Sequence, residues 1–297
     1  MGTKDIAEKH FEEINKIFAD IINGTLFEGS QTIKETELVD LPMKSQYKAD
    51  DGKLHEQERD IAKRWSKEDV VFSIIGIENQ TVIDKDMPLR VIGYDGASYR
   101  SQLLDKDSSR RYPVITIVLY YGKEPWSAPR SLKERLDVPA CLAKYVSDYH
   151  INVFDISHMS DEEIDTLFHS DFKILAKFMN GTNNISEIKE KIEYPDPLLK
   201  ILSVLTDDDR FKNLQGEFME GGSTMCDILD KIENKGKIEG KIEGKIEGKI
   251  EGKIEAFREI AENLYKNGVS LDIIKSSIPN IPKDEVQKIF DEIAKSK

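Results

Sequence analysis

The stretch "VVFSIIGIENQ", Val70 to Gln80, constrains the fold of this chain more than any other. Apolar residues run almost unbroken as far as Ile77, which reads as a buried strand. The run then ends in Glu78, Asn79 and Gln80, three groups that are costly to remove from water. A carboxylate at the end of a buried strand is tolerable where a cation meets it. The stretch therefore raises two expectations at once, a sheet core and a charged site at the end of one of its strands.

The rest of the chain supplies neighbours for such a strand. Asp5 to Asn23 patterns as one amphipathic helix, with Ile6, Phe11, Ile14, Phe18, Ile21 and Ile22 near one face and Asn23-Gly24 as its stop. From there to Glu58 the sequence is polar and poorly patterned. Arg59 to Trp65 reads as a short strand. Pro88 suits the first turn of a helix that runs to about Leu104. Tyr112 to Tyr120 and Tyr149 to Ile156 read as further strands. Asp161 to Asn180 reads as a helix capped by Ser160. Pro195 and Pro197 precede another helix near Leu198 to Leu205. This order predicts an α/β core over residues 1–160 and a helical region over 161–230.

From Lys231 the sequence turns repetitive: "KIENKGKIEGKIEGKIEGKIEGKIEAF". A helix advances about 100° per residue, so each Lys-Ile-Glu-Gly unit drifts by about 40°. Ile238, Ile242, Ile246, Ile250 and Ile254 then spread over about 160° of the helix surface. Like charges recur four residues apart, and each Gly costs about 1 kcal/mol relative to Ala. An isolated helix of this kind is weak, so residues 231–256 are either a loose spacer or a helical arm held by a second copy, and the arm steadied by self-association is the expectation. Residues 257–297 form a small helical tail with seven basic and seven acidic residues from Ala256 onward. That balance favours a tail that packs on itself or on a partner over one that reads DNA.

Composition excludes several classes. No apolar run approaches the roughly 20 residues needed to span a bilayer. The opening "MGTKDIAEKHFEEINK" is acidic and amphipathic, unlike a secretory leader, so the expected compartment is the cytoplasm. Cys141 and Cys226 stand far apart, and the five histidines show no zinc-type spacing. The net charge of −13 opposes nucleic-acid binding by the chain as a whole. Locally the balance reverses: Ser98 to Arg135 holds eight basic residues, Arg100, Arg110 and Arg111 among them, against four acidic ones.

The acid at the strand end has a natural companion. Asp60, in "ERDIAKRW", lies one short hairpin upstream, and two antiparallel strands would bring it to Glu78. The backbone carbonyl of Asn79 could add a third oxygen. Hard cations such as Mg²⁺ take this kind of oxygen set. Glu78 and Gln80 are two residues apart and so share a face of the strand. On the following helix Arg90, Tyr94, Ser98 and Ser101 fall on one face. Arg90 suits a phosphate, and Tyr94 can hydrogen-bond to it. Tyr99 and Gln102 lie on a neighbouring face. Trp126 is expected in loop or core packing. Glu12, Glu13 and Asp20 of the first helix are candidates to lend a further acid; none stands out, and they are most simply its wet face.

The motifs "RDIAKRW", "IGIENQTVIDKDMPLRVIGYDGASYRSQL", "RYPVITIVLYYGKEPW" and the "EGKIEGKIEG" tail resemble the recombination-promoting nuclease/putative transposase (Rpn) family of the PD-(D/E)XK nuclease superfamily. The resemblance implies a restriction-endonuclease-like core, with a mixed central sheet flanked by helices. It implies a DNA endonuclease dependent on Mg²⁺ or Mn²⁺. Asp60 and Glu78 match the metal ligands, and Gln80 stands where the superfamily carries lysine. Gln has no charge and cannot act as a base near neutral pH, so its expected role is to orient water or phosphate. The alternative is a core without catalysis that binds DNA or assembles through its C-terminal arm. A nuclease acting on RNA or on a structured junction is a third possibility.

Overall fold

The computed structural model describes residues 3–41, 44–48, 54–58, 60–68, 70–104, 110–181, 188–270, 273–274 and 283–295. Its centre is a mixed five-stranded sheet in the order β1-β4-β5-β6-β7. β1 is Leu38–Asp40, β4 Ile61–Lys67, β5 Val70–Gln80, β6 Val114–Tyr120 and β7 Asn152–Asp155. β1, β4 and β5 pair antiparallel, whereas β5, β6 and β7 run parallel. Between β1 and β4 a separate two-stranded ladder joins β2, Lys44–Lys48, to β3, Leu54–Glu58. The polar stretch before Glu58 thus carries three strands that its composition hides.

β5 is central because its sequence suits a strand covered on both faces. Ser73 through Asn79 are all buried there. The helix α3, Met87–Leu104, carries the chain from β5 back to the start of the parallel neighbour β6. Pro88 sits in its first turn, where its missing N–H costs nothing. The far end of α3 is tied to the sheet by Gln102, whose amide donates to the Tyr112 carbonyl and accepts from the Tyr112 N–H. Tyr99 Oη accepts from Val114 N–H at the start of β6. Trp126 packs edge-on against Tyr120, as the loop-packing expectation has it.

The N-terminal helix is two helices, α1 Thr3–Glu12 and α2 Asn15–Leu26. The break releases the Glu13 carbonyl, which accepts instead from Lys63 Nζ at 2.7 Å. Lys63 is fully buried and also donates to Asn15 Oδ1 and Asp40. Asn23-Gly24 does not stop α2. The Asn23 amide clasps the returning loop through Thr32 N–H, Ile33 N–H and the Ile33 carbonyl. Gly24 leaves room for Phe168, whose ring carbon lies 2.3 Å from where a Cβ would stand.

The expected helix over 161–180 is likewise two, α5 Asp161–Leu167 and α6 Asp171–Met179, with α4, Leu132–Arg135, a single turn upstream. Ser160 caps α5 through a reciprocal bond pair with Glu163. The interruption is imposed from outside: Asp20 of α2, buried, accepts from His169 N–H, Ser170 N–H and Ser170 Oγ. A short ladder, β8 Lys191–Ile192 with β9 Ser223–Thr224, brackets α7 Pro195–Thr206 and α8 Asp209–Lys212.

The chain divides into two compact units, Met1–Leu229 and Asp230–Lys297. Residues 161–229 belong to the same unit as the sheet. A single helix of 42 residues, α9 Met225–Lys266, contains the whole repeat. It ends where Gly268 takes a positive φ of 89°. The tail helix α10, Lys283–Lys295, packs Val286, Ile289 and Phe290 with Phe257, Ala261 and Ile274. The tail therefore packs on itself, as its charge balance suggests. Among the described residues no helix is long and apolar enough to cross a membrane.

Candidate functional site

The antiparallel register of β4 and β5 sets Ile61 opposite Ile77, so the next step places Asp60 beside Glu78. Asp60 N–H donates to Glu78 Oε1 at 3.3 Å. Asn79 N–H donates to Asp60 Oδ2 at 2.8 Å. In a strand the N–H and C=O of one residue point to the same side. The Asn79 carbonyl is therefore also turned toward Asp60. Two carboxylates and a carbonyl gather at one corner of the sheet, where β4 begins and β5 ends.

Glu78 is fully buried and Asp60 half-buried. On the Glu78 face, α3 supplies Arg90, whose Nη2 lies 3.4 Å from Glu78 Oε2 and 3.4 Å from Tyr94 Oη. Nη1 donates to Asp84 Oδ2 at 3.0 Å. Burial alone would lower the Arg90 pKa, but its bonds to Tyr94 and Asp84 and the charge of Glu78 raise it, so the guanidinium stays charged. Burial pushes the Tyr94 phenol up, and the charges of Glu78 and Asp60 push the same way. Tyr94 is thus a neutral donor near neutral pH. The bonds to Glu78 from Asp60 N–H and Arg90 Nη2 are long.

The opposite face of β5 carries a residue that the helical pattern concealed. Glu12 is fully buried, and its Oε2 accepts from Asn79 Nδ2 at 2.7 Å. Asn79 Oδ1 is buried with no hydrogen-bond partner among the described residues. Glu12 therefore does not lie on a wet face. Asp20 is also buried, and of the three candidates on the first helix Glu13 alone is exposed. An acid next to Phe11 was the available signal.

Gln80 is half-buried, on the Glu78 side of the strand, and its carbonyl accepts from Tyr121 N–H at 2.8 Å. Ser98, Arg100, Arg110 and Arg111 lie elsewhere. α3 carries Ser98 about 12 Å along its axis from Arg90. Arg110 and Arg111 precede Val114, which pairs with Ile74, about 13 Å along β5 from Glu78. Other members of the basic segment serve the fold: Arg130 donates to the Val153 carbonyl, and Arg135 pairs with Asp86.

The donor set suits a hard divalent cation in kind: two carboxylates and a backbone carbonyl. Among the described residues no three His, Cys, Asp or Glu side chains converge as a metal cluster. Any such ion would thus rest on Asp60, Glu78 and the Asn79 carbonyl, completed by water.

A mixed sheet that brings two acids together at the junction of its antiparallel and parallel halves is a nuclease-like α/β core. The chain belongs to the family described as Putative transposase, YhgA-like, whose family model matches residues 62–212. This is the Rpn group of PD-(D/E)XK-like proteins. The match includes Glu78, Asn79, Gln80, Arg90 and Tyr94; Asp60 and the repeat lie outside it. No curated protein and no solved structure matches the chain. Family membership ties the chain to a role related to transposition or nuclease action.

Proposed function

We propose that the protein is a DNA endonuclease that hydrolyses phosphodiester bonds with Mg²⁺ or Mn²⁺. The observation that supports this is the meeting of Asp60 and Glu78 at the sheet corner, where Asp60 N–H donates to Glu78 Oε1 and Asn79 N–H donates to Asp60 Oδ2. Asp60, Glu78 and the Asn79 carbonyl would hold the ion. Such an ion activates water and offsets charge on phosphate. Gln80 orients water or phosphate from the Glu78 face. Arg90, 40% exposed, reaches outward to bind a phosphate oxygen, and Tyr94 donates a second bond. Arg100, Arg110 and Arg111 would contact DNA backbone farther along. Purified protein should cut duplex DNA with either metal, and Asp60→Ala or Glu78→Ala should lower the rate at least about a thousandfold. Variants that cut as fast as the parent would remove these residues from the mechanism.

One feature favours a second reading, a core that binds without cutting. Arg90 already meets Glu78, and Gln80 brings no charge. A flat calorimetric trace with Mn²⁺, together with uncut DNA, would select that reading.

The arm supports a proposal of its own, pairing with a second copy of the chain. Ile238, Ile242, Ile246 and Ile250 are exposed along α9. Lys precedes each one and Glu follows it, about 100° to either side. One flank of the Ile ridge is therefore basic and the other acidic. Two parallel copies bring each basic flank against an acidic one, whereas antiparallel copies set like against like. Ile238→Cys protein should oxidise to a dimer with itself. A mixed dimer of Ile238→Cys with Ile250→Cys in higher yield would overturn the parallel arrangement.

A further inference from the structure

A cleft opens one strand over from the candidate site. It is a cleft of about 660 Å³ at the carboxyl ends of the parallel strands β6 and β7. Ligands of open α/β sheets favour this edge. The wall begins at Tyr121, whose N–H donates to the Gln80 carbonyl. Gly122 follows, and a Cβ there would stand 2.0 Å from Tyr120 Oη. The backbone is thus pressed onto the Tyr120 ring, which is itself anchored by a bond from its hydroxyl to the Glu124 carbonyl. This turn presents Lys123 to the cleft.

Facing it, the 3-10 turn Ile156–His158 that follows β7 supplies Ser157 and His158. Asp155 fixes the imidazole through Nδ1 at 2.7 Å, while its other oxygen accepts from Trp126 N–H. With Nδ1 so engaged, Nε2 is the ring nitrogen left for a ligand. Ser157 Oγ is buried and has no hydrogen-bond partner among the described residues. Among the described residues no carboxylate pairs with Lys123. An ammonium, an oriented imidazole and an orphaned hydroxyl thus line one cleft; the ammonium and the hydroxyl can donate to an oxyanion, and the imidazole donates through Nε2 in its imidazolium form. The floor is apolar: Phe178, Met179 and Leu205.

We propose that this cleft holds one nucleotide of a DNA strand, next to the one presented to Asp60 and Glu78. Its phosphate is bound by Lys123, His158 and Ser157, and its sugar and base lie on the apolar floor. The proposal rests on the nuclease reading for the identity of the strand, and on the cleft alone for its chemistry.

Binding of a labelled short duplex to the full chain in EDTA tests it with cleavage silenced. Lys123→Ala and His158→Ala should each weaken binding about tenfold, and Lys123→Ala should lower the salt slope by about one. Unchanged affinity and slope in both variants, each melting like the parent, overturn the proposal. Should His158→Ala melt early, His158→Gln and the exposed Lys123→Gln carry the same expectation. Thymidine 5′-monophosphate should compete for the site better than inorganic phosphate does. Equal competition would overturn the role of the floor. Weakened binding in these variants beside undiminished cleavage by Asp60→Ala would leave the cleft standing and remove the catalytic assignment.

Discussion

β5 and the arm of α9 are both built on isoleucine, with opposite results. Ile75 of β5 is 1% exposed, whereas Ile242 of the arm is 54% exposed. The difference lies in what flanks each residue. β5 has β4 and β6 as hydrogen-bonded neighbours and receives Arg90 and Tyr94 of α3 against its end. Its side chains are fixed by contacts far away in sequence. The arm leaves Ile238, Ile242, Ile246 and Ile250 exposed, and its period of four walks the ridge around the helix. Isoleucine supplies apolar area in both regions, but a position is specified only where distant parts of the chain close over it.

The sharpest way to break this contrast is to truncate one isoleucine in each region. Ile75→Ala should cost about 2–5 kcal/mol in urea unfolding, since a buried cavity is left. Ile242→Ala should stay within about 0.5 kcal/mol at high dilution, as exposed substitutions do. Equal costs at dilution would mean that the arm ridge is covered within one chain.

A smaller effect, of opposite sign in the two units, comes from glycine. Gly24→Ala should destabilise by about 1–3 kcal/mol, because its methyl meets the Phe168 ring. Gly244→Ala points into open space on a helix and should stabilise it by about 1 kcal/mol. Thermal melts of the two variants moving in the same direction would erase the distinction.

The smallest effect is a pH dependence confined to the folded core. Bonds from the Ser160 backbone and hydroxyl hold the Glu163 carboxyl below its ordinary range. A depressed carboxyl stabilises the fold above its unfolded pKa and loses that contribution as pH falls through the folded one. The first turn of α5 should therefore fray in acid, read as faster amide exchange at Glu163. Glu163→Gln should remove that dependence.

Much of the core was legible in the sequence. The strands around Val70, Val114 and Val153, the helix opened by Pro88 and the cap at Ser160 all carry local signals, and the structure places them within a few residues of where those signals fall. The pairing of Asp60 with Glu78 was legible too, since a hairpin fixes which residues sit opposite. What stayed hidden depends on distant partners. Lys63 captures the carbonyl freed where α1 gives way to α2, Asp20 grips the bend before α6, and Asn23 clasps a loop instead of ending its helix. Glu12 was one of three candidate acids on the first helix, and only its burial in the fold sets it apart from Glu13. The placement of Arg110 and Arg111 was not legible either, because closeness in sequence to α3 says nothing about which end of the sheet they reach.

The uniformity of the repeat has a consequence for how this chain can change over generations. Four residues add about 6 Å of helix and about 40° of turn. Near-identical coding units invite copying slippage, so a lineage can gain or lose these increments one at a time. None of them adds or removes a residue within Met1–Leu229. Reach and rotation become adjustable in fixed steps, like notches on a ruler, while the buried acids stay where the sheet sets them.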